Sequence, residues 1–188
     1  MAEIVFVTHN KGKIESAKRI LKDVDLKIFE YDLEEPRSDD ISYISRYKAI
    51  EAYKLVKRPC ISLDCGFWID ALNGFPRAFV NFALDTIGID GILKLMEGKI
   101  DRSCRFTECL SYYDGSNVYQ FSGRHEGRIA YRVRGTDSDK KWSDLWYIYM
   151  PSGYDKTLAE MSEDEILNRV KYDSVDSIKE FAKWYKST

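Results

Sequence analysis

An unbroken apolar run, Ile4 to Val7, gives way to polar Thr8-His-Asn-Lys-Gly12 and then to apolar residues at helical spacing, Ile14, Ala17, Ile20 and Leu21. That pattern predicts a short buried strand, a turn and an amphipathic helix over about 11–22. A second strand is expected over 26–31, an acidic loop containing Pro36 over 32–40, and a helix over 41–56 with Ile44, Tyr47, Ile50, Ala52 and Leu55 on one face. Cys60 to Leu63 reads as a short apolar strand ending at Asp64, followed by a strand fragment and a Gly-Pro turn up to Pro76. Two helices are predicted over 77–84 and 88–96. Three strands are predicted over 102–113, 117–123 and 127–134, with Asp114-Gly115 as a hairpin turn. The segment 142–150 reads as an aromatic strand, Ser162-Glu-Asp-Glu165 as a capping box, and 175–185 as a last helix. Alternating strands and helices followed by antiparallel-looking strands predict an α/β fold: a mixed twisted sheet flanked by helices, one domain over 1–188 in two lobes with a central cleft.

The first strand–turn–helix carries chemistry as well as shape. Unpaired backbone N–H groups and the positive end of a helix dipole converge where the turn meets the helix, and an anion such as phosphate suits that place. Thr8 and Asn10 add hydrogen-bonding groups and Lys13 adds a full charge. The turn is not a Walker loop, which requires G-x-x-x-x-G-K-[ST]. Taken alone, a capped turn with solvated lysines accounts for it equally well.

Length and charge narrow the classes. The 188 residues suffice for one substantial core and are few for two independent domains. Lys and Arg number 29 against 31 Asp and Glu, a net charge of −2, and no basic block argues for a nucleic-acid backbone as partner. No apolar run reaches membrane-spanning length, so the expectation is a cytoplasmic protein with no membrane partner. Cys60, Cys65, Cys104 and Cys109 form two C-x₄-C pairs rather than the C-x₂-C of a zinc site, and read as buried free thiols.

With only His9 and His125 present, a histidine-centred site has little support, and the candidate chemistry falls to carboxylates. Asp64 follows an apolar strand at the end where ligand crevices open. Glu34 and Glu35 lie in the loop after the second strand. Hard oxygen donors of this kind, completed by phosphate oxygens, are how Mg²⁺ is usually held. Trp142 and Trp146 present planar faces suited to stacking on a base, and equally to burial in a core or a dimer interface.

At this point the residues resemble the inosine triphosphate pyrophosphatases, the non-canonical purine nucleoside triphosphate pyrophosphatases. Thr8-His-Asn-Lys-Gly-Lys13 is similar to the family's T-x-N-x-x-K turn, and Tyr47-Lys-Ala49 to its second-helix segment. Asp64-Cys-Gly66 with Asp70-Ala-Leu-Asn-Gly-Phe-Pro76 resembles D-S-G-L…x-A-L-x-G-x-P. The stretches 91–96, 123–129 and Gly153-Tyr-Asp-Lys-Thr-Leu-Ala-Glu-Met161 follow in the family's order.

The resemblance implies a two-lobed homodimer that uses Mg²⁺ to split ITP, dITP or XTP into monophosphate and pyrophosphate. It implies that Thr8, Asn10, Lys13 and Lys48 hold the triphosphate, that Glu35 and Asp64 hold the metal or orient water, and that Asp64 and Lys13 carry catalysis. Trp142 and Arg169 are the base-side candidates. The sequence departs from the family's pattern at Leu63, where an acid is usual, at Arg77, where glycine is usual, in the aromatic segment 142–147, and at 168–173, which lacks the S-H-R triplet. Those departures keep a second reading open: a nucleotide-binding homologue with impaired hydrolysis, acting as a sensor or interaction protein.

Overall fold

The computed structural model describes residues 3–136, 142–168 and 174–187. The chain divides into two compact units. The first comprises residues 1–65, 108–123 and 176–188, and the second 66–107 and 124–175.

The first unit opens with β1 (Ile4–Val7), α1 (Lys11–Ile20), β2 (Leu26–Phe29) and α2 (Ile41–Val56). β1 lies parallel to β2 and to β3 (Cys60–Ile69). An interior parallel strand is covered on both faces, which explains why Ile4 to Val7 is a continuous apolar run. Ile4 and Phe6 pack into one cluster with Ala17, Leu21, Ile61, Leu63, Leu110 and Phe181. Val5 and Val7 enter another with Leu33, Ala52 and Cys60, so the period-2 alternation divides the strand between two cores. Asn10, in extended conformation, caps α1 by accepting from the Lys13 backbone N–H at 3.0 Å. Asp40 caps α2 in the same way through Ser42 and Tyr43. The unit also holds parts of β5 (Ser103–Tyr113) and β6 (Val118–Ile129), and α6 (Ser177–Ser187), whose Phe181 is fully buried.

The second unit contains the rest of β3, β5 and β6, together with β4 (Pro76–Arg77), α3 (Val80–Thr86) and α4 (Gly88–Leu95). After these come β7 (Tyr149–Pro151), α5 (Glu163–Asn168) and β8 (Ser174–Val175). β4 pairs antiparallel with β3, and β7 and β8 pair antiparallel with β6. The strand order is β2-β1-β3-β5-β6-β7, which makes the sheet mixed, as the α/β reading requires. Its core gathers Phe67, Ile69, Ile92, Met96, Ile129, Leu145, Ile148 and Tyr149.

Several boundaries differ from the sequence reading. Asp64 does not end a strand: β3 continues through it to Ile69, because Phe67, Trp68 and Ile69 are strong strand formers and β4 supplies a partner. A Cβ at Gly66 would come within 2.5 Å of the Trp68 ring, so the absence of a side chain there lets the strand pass. The two strands predicted over 117–123 and 127–134 are one, β6, ending at Ile129. Segment 142–150 is mostly not a strand. Ser143 accepts from the Leu145 N–H and starts a 3₁₀ turn over Asp144–Tyr147, leaving Leu145 and Ile148 buried three residues apart. The helix expected from Arg77 starts at Val80. Of the four free thiols, Cys60, Cys104 and Cys109 are buried as expected, whereas Cys65 is exposed.

Candidate phosphate and metal site

Five segments of the first unit bring the phosphate-side candidates together. The N-terminal turn supplies Thr8, whose Oγ1 accepts from the Asn10 N–H at 3.2 Å, and α1 supplies Lys13. The loop between β2 and α2 supplies Glu35, α2 supplies Lys48, and β3 supplies Asp64. Lys13 Nζ donates to the Leu63 carbonyl at 2.6 Å and lies 3.9 Å from Asp64 Oδ1. Lys48 Nζ donates to Glu35 Oε1 at 2.6 Å and to the same Asp64 Oδ1 at 3.2 Å. One carboxylate oxygen thus faces two ammonium groups.

Burial makes the arrangement matter energetically. Asp64 is 5% exposed, and removing one partner from a buried charge pair leaves the other uncompensated. Burial pulls the Lys48 ammonium towards neutrality, but the charges of Asp64 and Glu35 outweigh it and raise its pKa above the ordinary lysine value. Burial likewise pushes the Glu35 carboxyl up. The hydrogen bond and charge of Lys48, with Lys13 and His9 adding to them, hold it below its ordinary value all the same. His9 Nδ1 stands 3.3 Å from Asp32 on the loop that carries Glu35.

Two buried serines were not singled out by the sequence. Ser62 Oγ approaches Asp64 Oδ2 at 3.4 Å, and Ser45 Oγ donates to the Ser62 carbonyl at 3.2 Å. The signals were faint but present. Ser62 and Asp64 share a face of β3 by strand alternation, and Ser45 precedes Lys48 by three positions on α2. The same alternation answers the departure at Leu63. Its side chain packs with Phe6, Ile61 and Leu110, on the opposite face of β3 from Asp64. An acid there would enter an apolar core rather than the lysine–carboxylate cluster, so Leu63 takes nothing from that cluster.

The base-side candidates belong to the second unit. Trp142 is 44% exposed, with its ring centroid 5.5 Å from that of Trp146. Trp146 packs against the core around Leu145 and Tyr149. Arg169, with Lys171 and Tyr172, lies outside the described residues.

A mixed-sheet α/β protein with a capped N-terminal turn beside paired lysines and carboxylates is thereby defined. The chain belongs to the Ham1 family, whose model matches residues 4–171. It is 32% identical over 185 residues to a dITP/XTP pyrophosphatase of Thermococcus kodakarensis, with 97% of each chain covered. It is 35% identical over 193 residues to the dITP/XTP pyrophosphatase of Methanopyrus kandleri, covering 98% of this chain and 97% of the relative. Among solved structures, a HAM1 protein from Coxiella burnetii superposes with a TM-score of 0.83 at 21% identity over the whole of both chains. The Staphylococcus aureus Ham1 protein gives 0.81 at 23% identity over 98% of each chain. These two likenesses speak for the fold.

Proposed function

We propose that this protein hydrolyses non-canonical purine nucleoside triphosphates, dITP, XTP and ITP, to the nucleoside monophosphate and pyrophosphate, with Mg²⁺ as cofactor. The observation that carries the reading is the pair of lysines converging on Asp64 Oδ1 next to the N-terminal turn. The names of the curated relatives point to the same substrates. Thr8, Asn10 and the first turn of α1 present donors to the polyphosphate, and Lys13 and Lys48 offset its charge. Asp64, held by Ser62, accepts the proton of a water attacking the α-phosphorus, and the pyrophosphate leaves with the electron pair of the broken P–O bond.

The residues present fit a divalent metal. Among the described residues no group of three metal-binding side chains converges, but Glu35 and Asp64 already hold one cation, the Lys48 ammonium, between them. Two carboxylates with phosphate oxygens make a usual Mg²⁺ shell. The ion, when bound, would neutralise charge on the leaving pyrophosphate.

The test is pyrophosphate release from dITP, XTP, ITP, ATP, GTP and UTP in the presence of Mg²⁺. Release from the first three that vanishes in Asp64→Asn supports the reading. Tight nucleotide binding without release would support the hydrolysis-impaired alternative instead. Trp142 and Arg169 remain our base-side assignments within this reading, and Trp142→Ala should raise KM for dITP more than it lowers kcat.

We also read the protein as a cytoplasmic homodimer. Phe79, Phe82, Ile87, Leu95 and Ile100 are all exposed within one stretch of the second unit, Phe82 at 69%, which supports burial against a second copy. Sedimentation velocity of wild type and Phe82→Glu tests this, a wild-type monomer being the outcome against it. No helix among the described residues is long and apolar enough to cross a membrane.

A further inference from the structure

We propose that Lys48 is the resident counter-ion of the Glu35–Asp64 pair and that it bars divalent metal from the free protein, so that the metal enters only as its complex with a triphosphate. The proposal rests on the metal-dependent reading above and adds the form in which the substrate is taken.

Lys48 has two partners among the described residues, and both are the carboxylates suited to a metal: Glu35 Oε1 at 2.6 Å and Asp64 Oδ1 at 3.2 Å. Lys13 approaches the same Asp64 oxygen at 3.9 Å while its hydrogen bond goes to the Leu63 carbonyl. The remaining oxygen of Asp64, Oδ2, faces Ser62 Oγ at 3.4 Å. The cluster of two lysines and two carboxylates is therefore neutral as it stands. A bare dication reaching Asp64 Oδ1 would meet two ammonium groups within a few ångströms, with nothing added to offset them.

A polyphosphate changes that balance. It brings several negative charges to the turn beside Lys13, and it gives Lys48 an acceptor to replace the carboxylates it gives up. A lysine suits the exchange because its ammonium is a point charge with rotatable donors on a flexible stem. A bidentate arginine would be fixed to one carboxylate. By linkage, whatever raises metal affinity when polyphosphate is present raises polyphosphate affinity by the same factor when metal is present.

The experiment measures Mn²⁺ binding to the full chain, by the free-Mn²⁺ electron paramagnetic resonance signal for the bare ion and by isothermal titration calorimetry for the complex. Mn²⁺ is added alone and as a preformed complex with inorganic tripolyphosphate, which has no base. Wild type should bind the complex more tightly than Mn²⁺ alone. Lys48→Met and Lys48→Gln should bind Mn²⁺ alone at least about tenfold more tightly than wild type, a floor set by one unit charge acting on a dication at contact distance. Lys48→Arg, which keeps the charge, should stay as weak as wild type. A lysine that merely braced the fold would give variants with lost metal binding, not gained.

The proposal is overturned if Mn²⁺ alone binds wild type as tightly as it binds Lys48→Met. It is equally overturned if both neutral variants, native by circular dichroism, fail to gain affinity. Should the neutral variants unfold, the two wild-type titrations decide, equal affinity for Mn²⁺ and for its complex being the contrary result. Because no turnover is read, absence of pyrophosphate release from dITP would defeat the proposed function while leaving this result standing.

Discussion

Lys13 and Lys48 in the first unit and Arg102 in the second are half-buried cations held in opposite ways. In the first, Lys13 and Lys48 meet side-chain carboxylates, and one backbone carbonyl, that a ligand's oxygens can replace. In the second, the Arg102 guanidinium donates to three backbone carbonyls, those of Met96, Ile129 and Ala130, at 2.6–3.0 Å, and lies over the Tyr131 ring. Arg134 combines the two, with one backbone carbonyl, that of Asp155, beside the Glu160 carboxylate and the Met150 sulfur. Backbone carbonyls cannot move away without unfolding a segment, whereas a lysine can exchange one oxygen partner for another. A charged cluster is thus a candidate site when its partners are exchangeable, and a structural tie when they are not.

The largest expected effect breaks this comparison if it fails. Asp64→Asn should lower kcat for dITP by about 10²–10⁴-fold, the usual contribution of a positioned base. Lys13→Ala should lower it by about 10²–10³-fold. Steady-state pyrophosphate release measures both. Thermal unfolding should stay within a few degrees of wild type for Lys13→Ala, because Lys48 still offsets Asp64 when the one bond from α1 to the Leu63 carbonyl is lost. A large drop in melting temperature with normal kcat would make this cluster structural too.

The converse substitution is Arg102→Ala. It takes the guanidinium from three carbonyls of the second unit at once, of which that of Met96 keeps the Lys99 N–H, at a cost of about 2–3 kcal/mol after partial access of water. For a chain of this size that lowers Tm by roughly 5–10 °C. Differential scanning fluorimetry checks it, and kcat for the folded variant should be unchanged at 25 °C. A loss of activity with normal stability would place Arg102 in the chemistry and erase the distinction between the units.

Much of the candidate site in the first unit was legible because it is local. The Ile4–Val7 run, the Asn10 cap and Lys13 sit within ten residues, and their geometry follows from strand, cap and first helical turn. The alternation that hides Leu63 and presents Asp64 is also a sequence property, though it requires knowing that β3 continues. That continuation was not legible, because it depends on β4 returning to pair with Phe67 and Trp68. The contact of Lys48 with both Glu35 and Asp64 joins positions 13 and 16 residues apart across three elements, and no periodicity encodes it. In segment 142–150 aromatic content suggested a strand, and the Ser143 cap decided otherwise. Short elements are ruled by single hydrogen bonds, which composition does not show.

Each unit also carries a non-glycine residue in the left-handed region, which sharpens the comparison at smaller cost. Lys57 ends α2 at φ 54° with its N–H on the Tyr53 carbonyl, and Arg77 in β4 sits at φ 59°. Glycine accepts that conformation without the Cβ penalty of about 1–2 kcal/mol, partly offset by the extra freedom of the unfolded chain. Lys57→Gly should therefore stabilise the protein by about 0.5–1 kcal/mol in urea unfolding. Arg77→Gly should gain less, because the Arg77 guanidinium also donates to the Asn73 carbonyl at 3.3 Å. If Arg77→Gly is the more stabilising, that bond contributes nothing.

The smallest effect distinguishes how each unit holds a carboxylate. Glu35 and Glu160 both have pKa values below the ordinary 4.5. In both, burial acts the other way and is outweighed: in Glu35 chiefly by Lys48, in Glu160 first by the Thr157 N–H and hydroxyl and then by Arg134. A depressed carboxyl pKa stabilises the fold above the unfolded-state value, and that contribution is lost as pH falls through the folded value. Stability should therefore decline below about pH 4.5 from both residues. The two should part on salt. An exposed carboxylate held by a charge is screened at high ionic strength, whereas a backbone N–H donating at 2.8 Å is a short-range contact that salt does not reach. Carboxyl chemical shifts followed by NMR between low and high salt should show the Glu35 pKa moving up towards its ordinary value and the Glu160 pKa nearly still. Equal movement of the two would mean that Arg134, rather than Thr157, holds Glu160, and that the second unit also relies on exchangeable charge.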